Sequence, residues 1–322
     1  MNRLSRTFAA TLAVAALGAT AGCFSSGSTS AEPGSLAKGV SLDGVTLTVG
    51  SKEFTEQLLL CQITALALRS AGAEVKEKCG LQGSNTTRAA LTSGSIDMYW
   101  EYTGTAWINF LKKTEPIDDP ARLYQTVAQE DLTANKVKWL AAAPANNTYA
   151  IGVKTETAQR LKVASLSDYA RLVSTDPGKA SMCVASEFAG RSDGLPGMEK
   201  AYGFKVPKSG LASLAEGAIY NSVAKAKPCN FGMVTTTDGR VKGLGLTILA
   251  DDKRFFPIYN PALTVRDSVF QKHSTLSKLI DPIARALTDP VLQDLNSAVD
   301  IDGEQPEDVA GDWLKSKGFI GK

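Results

Sequence analysis

Apolar and polar residues alternate through VTLTVGSK, residues 45–52, as far as Gly50, which predicts a strand. The next segment, TEQLLLCQITALALRSAG, changes period. Leu59, Ile63 and Leu66 fall on one helical face, Thr55 stands where a cap belongs, and Gly72 stands where a helix ends. AEVKEK follows as a second short strand. GSNTTRAALTSG is a loop entering a helix, with Ser84 or Asn85 as its cap, and IDMYWEY is a third strand. This β-α-β-α-β run predicts an α/β fold with a mostly parallel sheet.

A second series begins at TYAIGVK, 148–154. Helices are expected at about 157–163 and 166–174, a strand at ASMCVAS, and helices within GLPGMEKAYG and EGAIYNSVAKAK. CNFGMVT and LTILADD read as strands, and NPALTVRDSV as a strand leading into a helix. Three helices, 274–287, 289–299 and 306–318, close the chain. They come after the second series has ended, so two crossovers are expected, near 146 and near 253. The C-terminal segment then returns to the first unit. Lobe I comprises 45–146 and 253–322, lobe II 147–252, with a cleft between them. Strand C-termini and helix N-termini of such lobes face the crevice, where ligands bind.

The first 22 residues stand apart. MNRLSR is positively charged, and TFAATLAVAALGA is apolar but too short to span a bilayer, which together read as a signal peptide. TAGC, ending at Cys23, resembles a bacterial lipobox, with Thr20 where leucine is usual. The resemblance implies lipidation of Cys23; an ordinary secreted protein with a spare cysteine is the alternative. FSSGSTSAEPGS continues as a Ser/Gly-rich stretch, and 23–44 is expected to be a flexible, lipid-anchored tether. Removing Arg3 and Arg6 from the 35 basic residues leaves 33, equal to the 33 acidic ones. A neutral body gives no reason to expect nucleic acid or an anionic membrane surface as partner.

Export permits disulfides, and four cysteines besides Cys23 allow three pairings. Cys61–Cys79 with Cys183–Cys229 places each bridge inside one proposed lobe and is the expected pairing, with buried free thiols as the alternative. No CxxC or His-rich spacing points to a metal, and no Walker A, dinucleotide-binding, GxSxG or HExxH motif occurs. The single histidine, His273, precedes STLSKL at a helix start, where a capping or surface role fits it. Neither catalysis nor a cofactor is expected.

The aromatic residues carry more. DMYWEYTGT, 97–105, holds Tyr99, Trp100 and Tyr102 beside Asp97 and Glu101. Alternation puts Trp100 on the face of Tyr102, with Tyr99 and Glu101 opposite. Trp100 is expected to pack beneath the cleft, Glu101 to be a rim charge or the partner of a basic residue, and Gly104 to supply a positive φ in the turn. Tyr102, Tyr149 and Tyr259 all stand where the chain changes lobe or meets the cleft rim. A quaternary ammonium has no N–H to bond, but an aromatic cage binds it through the ring quadrupole, at about 0.5–2 kcal/mol per ring. Position alone leaves the alternative open that these tyrosines pack in cores.

VGSKEFTEQLLL, ALTSGSIDMYWEYTGTAW, NNTYAIGV, SEFAGRSDGLPGMEKAYGF and TTDGR…DDKRFFPIYNPALTV, in this order across roughly 45–320, resemble the substrate-binding lipoproteins of osmoprotectant ABC importers. These take up glycine betaine, choline, carnitine and related compounds. The resemblance implies a type II periplasmic-binding-protein fold with two crossover segments. It places cage aromatics on Tyr102, Tyr149 and Tyr259, and ligand-carboxylate contacts on Lys52 and Arg191, with a hydrogen bond from Thr105. A further cage aromatic falls on Thr235, so the cage is one wall short. That departure admits a different zwitterion, such as a ring-bearing betaine or an amino-acid-like compound. The implied partners are an ABC permease with its ATPase, and the membrane through the N-terminal lipid only, with the protein a monomer. A secreted hydrolase and a structural lipoprotein with a vestigial cleft are the remote alternatives.

Overall fold

The computed structural model describes residues 31–322. The expected signal peptide, 1–22, and Cys23 lie outside the described residues. The described part of the expected tether is not one. Leu36, Val40 and Leu42 are buried in the first core, and the Ser35 and Leu36 amides donate to the carbonyls of Gly318 and Phe319. Three apolar side chains within seven residues are enough to fix this segment against the C-terminal end.

The first unit is built from β1 (Thr46–Lys52), α1 (Thr55–Ser70), β2 (Glu74–Leu81), α2 (Ser84–Ser93), β3 (Met98–Tyr102), the short turn α3 (Thr103–Thr105), α4 (Pro120–Asn135) and β4 (Val137–Ala142). The second adds β5 (Tyr149–Lys154), α5 (Thr155–Leu161), α6 (Leu166–Thr175), β6 (Met182–Val184), α7 (Ser186–Gly190), α8 (Leu195–Tyr202), β7 (Leu211–Ser213), α9 (Glu216–Ala224), β8 (Phe231–Thr235), α10 (Gly239–Gly243) and β9 (Leu246–Ile248). The chain then supplies β10 (Pro261–Arg266), α11 (Asp267–Phe270), α12 (Leu276–Ala286), α13 (Asp289–Asp300) and α14 (Pro306–Ser316).

Two five-stranded sheets result, in the orders β2-β1-β3-β10-β4 and β7-β6-β8-β5-β9. The first sheet is mostly parallel, as expected, with one reversed strand. β1 runs parallel to β2 and β3, but β10 lies antiparallel to both β3 and β4. The reason is topological: β10 arrives from the other sheet rather than through a right-handed crossover on its own. The second sheet repeats the pattern, with β6 parallel to β7 and β8, and β5 antiparallel to β8 and β9. In each sheet the reversed strand is the first one laid down after the chain crosses over.

The first sheet is buried on both faces. On one side α1, α12 and α14 bury Leu59, Ile63, Ile280 and Leu314 with Trp100, whose Nε1 donates to Thr64 Oγ1 at 2.8 Å. On the other, Tyr99, Trp107, Leu123 and Trp139 form a separate cluster under α4. Trp100 and Tyr99 thus lie on opposite faces, and Trp100 packs beneath the sheet. The second sheet has its own core around Tyr169, Phe188, Tyr220 and Phe231. Cys61 is bonded to Cys79, joining α1 to β2, and Cys183 to Cys229, joining β6 to the approach to β8.

Three local expectations are corrected. Phe54 and Gly83, not Thr55 and Ser84 or Asn85, take the cap positions of α1 and α2, and neither helix has a side-chain cap. Thr55 Oγ1 donates instead to Asp300 Oδ1 at 2.7 Å, a partner 245 residues away that outcompetes the local amides. Gly104 has no positive φ; it sits in α3, where a Cβ would meet Ile258 O at 2.7 Å and the Tyr259 ring at 2.8 Å. Close approach of the return segment, not backbone handedness, calls for glycine there.

Candidate functional site

Lys52 closes β1, Tyr102 closes β3, Tyr149 opens β5, and Tyr259 stands two residues before β10. Strand ends place side chains at the edge of a sheet, and these edges face each other. They meet at a cavity of about 300 Å³ between the two sheets, which also takes in Thr105 from α3 and Thr235 from the end of β8. Six of the seven expected ligand-binding residues therefore share one cavity. The seventh, Arg191, does not line it and faces a neighbouring open groove.

The aromatic wall is larger than expected. Phe54 stacks against Tyr102 with ring centroids 6.2 Å apart. Tyr149 meets Tyr259 edge-on at 5.5 Å and Phe188 at 5.1 Å. Phe54 and Phe188 belong to the SKEFTEQ and SEFAGRSDG boxes, so the signal for them was in motifs already singled out. Burial pushes the phenols of Tyr102, Tyr149 and Tyr259 well above their ordinary values, so the rings stay neutral.

Each ring is held from behind. Tyr102 OH donates to Glu56 Oε1 at 2.8 Å and accepts from Gln57 Nε2 at 3.1 Å. Tyr259 OH donates to Asp193 Oδ2 at 2.6 Å. The Arg191 guanidinium lies 5.5 Å from the Tyr149 ring centroid. Arg191 is itself fully engaged: its fork bonds Asp193, Nη1 donates to Glu187 Oε1 at 2.8 Å, and Nη2 reaches Thr105 Oγ1 at 3.4 Å.

Lys52 is buried, with Nζ 2.7 Å from Glu101 Oε1 and 5.1 Å from the Tyr102 ring centroid. Glu101 also accepts from Tyr99 OH at 2.8 Å, so it is the partner of a basic residue and not a rim charge. At Thr235 the wall is thin but backed. Tyr220, from α9, lies behind it, with its hydroxyl 3.4 Å from Thr235 Oγ1 and the Arg240 guanidinium 4.2 Å from its ring centroid.

Glu187 and Glu56 are among the carboxylates that join the halves of the molecule. Glu187, on α7, accepts from the Ser84 amide at 3.0 Å and the Ser84 hydroxyl at 2.6 Å, both on α2 across the cleft. Burial works against its charge, but Lys52, Arg191 and the Ser84 bonds outweigh it and hold the carboxyl down at about 2. Glu56, on α1, accepts from four side chains. Tyr102 and Asn147 donate to Oε1 at 2.8 and 2.9 Å, and Thr237 and Asn296 to Oε2 at 2.5 and 3.3 Å. Burial raises its carboxyl above the ordinary value even so. The periodicity of α1 gave Glu56 no distinction from a solvated first-turn acid.

Residues 45–316 match the family model described as the substrate binding domain of ABC-type glycine betaine transport systems. The glycine-betaine-binding protein of Pseudomonas aeruginosa is 38% identical over 98% of this chain and 95% of its own length. The glycine betaine-binding protein YehZ of Escherichia coli is 37% identical over 84% of this chain and 90% of its own. The structure of apo YehZ superposes with a TM-score of 0.62 at 36% identity, covering 85% of this chain and 99% of YehZ.

Proposed function

This chain belongs to the family of substrate-binding domains of ABC-type glycine betaine transport systems, and on that premise we propose that its cavity captures a quaternary-ammonium or zwitterionic osmoprotectant. The protein is an extracytoplasmic solute-binding component of an ABC importer, and not an enzyme. One observation carries the ligand class: Tyr102, Tyr149 and Tyr259, from segments far apart in sequence, converge with neutral rings on one small cavity. Its volume of about 300 Å³ is at the low end for small-molecule sites, which suits a compact cation.

Arg191 acts at one remove in this reading. It sets Tyr149 and Thr105 in place rather than touching the ligand. The bonds from Glu187 to Ser84 and from Arg191 to Thr105 link the two sides of the cleft, and ligand binding favours the form that makes them. The architecture is read as the type II form, with lobe I at 45–146 and 253–322 and lobe II at 147–252. The confinement of β5 to β9 within 149–248 supports those boundaries. Lipid anchoring through Cys23, a monomeric state, and delivery to a permease with its ATPase complete the reading.

A thermal-unfolding screen tests it. Saturating choline, glycine betaine, carnitine or proline betaine, at 100 times Kd, adds about 2.7 kcal/mol to stability. For lobes of this size that corresponds to a rise in Tm of roughly 5 °C or more. Free amino acids should give none. A flat response to every quaternary amine removes the proposal.

A second reading keeps the scaffold and changes the cargo, and Thr235 in the cavity wall is the observation that favours it. Thr235→Tyr restores a ring. Glycine betaine should then bind about 3- to 10-fold tighter, in line with one added cation–π contact. Calorimetry showing unchanged or weaker binding would mean that the threonine is not what sets the preference.

A further inference from the structure

Every basic group around the cavity already has a carboxylate. Lys52 is bonded to Glu101, Arg191 to Asp193 and Glu187, and Arg240, behind Tyr220, to Asp238. The acids are not balanced in the same way. Glu53, Glu187 and Glu216 line the cavity, against Lys52 as its one basic side chain. Glu53 accepts from the Gly83 amide, and Glu187 is satisfied by Ser84 and Arg191. Glu216, the first residue of α9, has neither a hydrogen bond nor an ion pair among the described residues. Burial pushes its carboxyl up to about 8, the charges of Asp238, Glu187 and Glu53 add to the effect, and Arg240 opposes it.

Asn147 supplies a second, independent observation. It lines the cavity and is 7% exposed. Its Nδ2 donates to Glu56, which leaves Oδ1 as a buried acceptor without a donor. A carboxyl without a cation and a carbonyl without a donor together describe the missing partner. It brings a positive charge and an O–H or N–H.

We propose that the cavity selects a net cation, an ammonium or quaternary ammonium whose other end is a hydroxyl or similar donor, over a zwitterion ending in a carboxylate, and that Glu216 sets this preference. The proposal rests on the reading that the tyrosines hold a quaternary ammonium, and narrows it. A ligand carboxylate in this cavity meets acids and finds no unpaired cation, in surroundings where charge is poorly screened. The start of α9 offers backbone amides, but it carries Glu216 at the same place.

Choline and glycine betaine share the trimethylammonium group and differ as hydroxyl against carboxylate, so their ratio cancels the contribution of the rings. Calorimetry on the purified protein at pH 8.5 should show choline binding at least about tenfold tighter. Glu216→Gln should weaken choline by about fivefold or more and leave glycine betaine unchanged or tighter, whereas Glu216→Asp should keep the preference. A measurement on the unaltered protein needs no variant. At pH 6 Glu216 is protonated, while Glu187, held at about 2, does not titrate, so the choline preference should shrink by about threefold or more. Glycine betaine binding as tightly as choline overturns the selectivity. Equal losses for both ligands in Glu216→Gln, or a ratio unmoved by pH, overturn the role of Glu216. If neither compound binds, the aromatic-cage reading itself fails and this proposal goes with it.

Discussion

Glu56→Ala is expected to lower the unfolding free energy at pH 7 by about 3–5 kcal/mol, the range for removing one partner from a buried, charged hydrogen-bond network. The substitution removes the acceptor of Tyr102, Asn147 and Thr237 and one of the two acceptors of Asn296 Nδ2, and these residues belong to β3, the first crossover, the segment after β8, and α13. Urea unfolding measures the loss. A change below about 1 kcal/mol would mean that water takes over all four bonds. Glu56→Gln should cost less, because it keeps the shape and one acceptor. The pH dependence has a definite sign. The folded protein raises this carboxyl above its unfolded value. Its contribution is therefore greatest below the unfolded pKa of about 4.3 and declines as pH rises through the raised folded value. The advantage of the native protein over Glu56→Gln should be larger at pH 4.5 than at pH 7.5.

Tyr102→Ala should weaken binding of a quaternary ammonium by about 30-fold or more, close to the upper end of a desolvated cation–π contact. The ring faces the cavity, and the Lys52 ammonium lies 5.1 Å from its centroid. Tyr102→Phe separates the ring from the hydroxyl. It keeps the π face and should bind within about threefold of the native protein, while losing about 1–3 kcal/mol of stability through the broken bond to Glu56. Calorimetry and urea unfolding on the same two variants give both numbers. Equal losses of affinity in the two would assign recognition to the hydroxyl.

Much of this was legible in the chain. The alternation in VTLTV and the helical spacing of Leu59, Ile63 and Leu66 follow from burial of one face, and both elements form where that pattern lies. The strand-end tyrosines were legible for the same reason, since a strand boundary fixes which residue reaches the rim. What could not be read depends on partners distant in sequence. Thr55 and Ser84 have the chemistry of caps, but Asp300 and Glu187 claim their hydroxyls from across the molecule. Arg191 has the fork that suits a ligand carboxylate, but Asp193 and Glu187 occupy it. Glu216 is an acid in a helical first turn, and burial at the cleft, with Asp238, Glu187 and Glu53 adding to it, is what makes it different. The antiparallel entry of β10 was hidden because periodicity carries no strand direction.

The position of β10 also orders events during synthesis. β3 and β4 are not neighbours in the finished sheet; β10 lies between them, and more than a hundred residues separate it from β4 along the chain. When only 46–142 has emerged, its sheet has an empty lane between β3 and β4 with an unpaired edge on either side. The unit made by 149–248, whose strands pair only with one another, can close first, although it is made second. The earlier segment must stay open, and exposed to wrong strand partners, until the last quarter of the chain arrives to fill the lane. A chain cut short before residue 261 would therefore end with one finished lobe and one unfinished sheet.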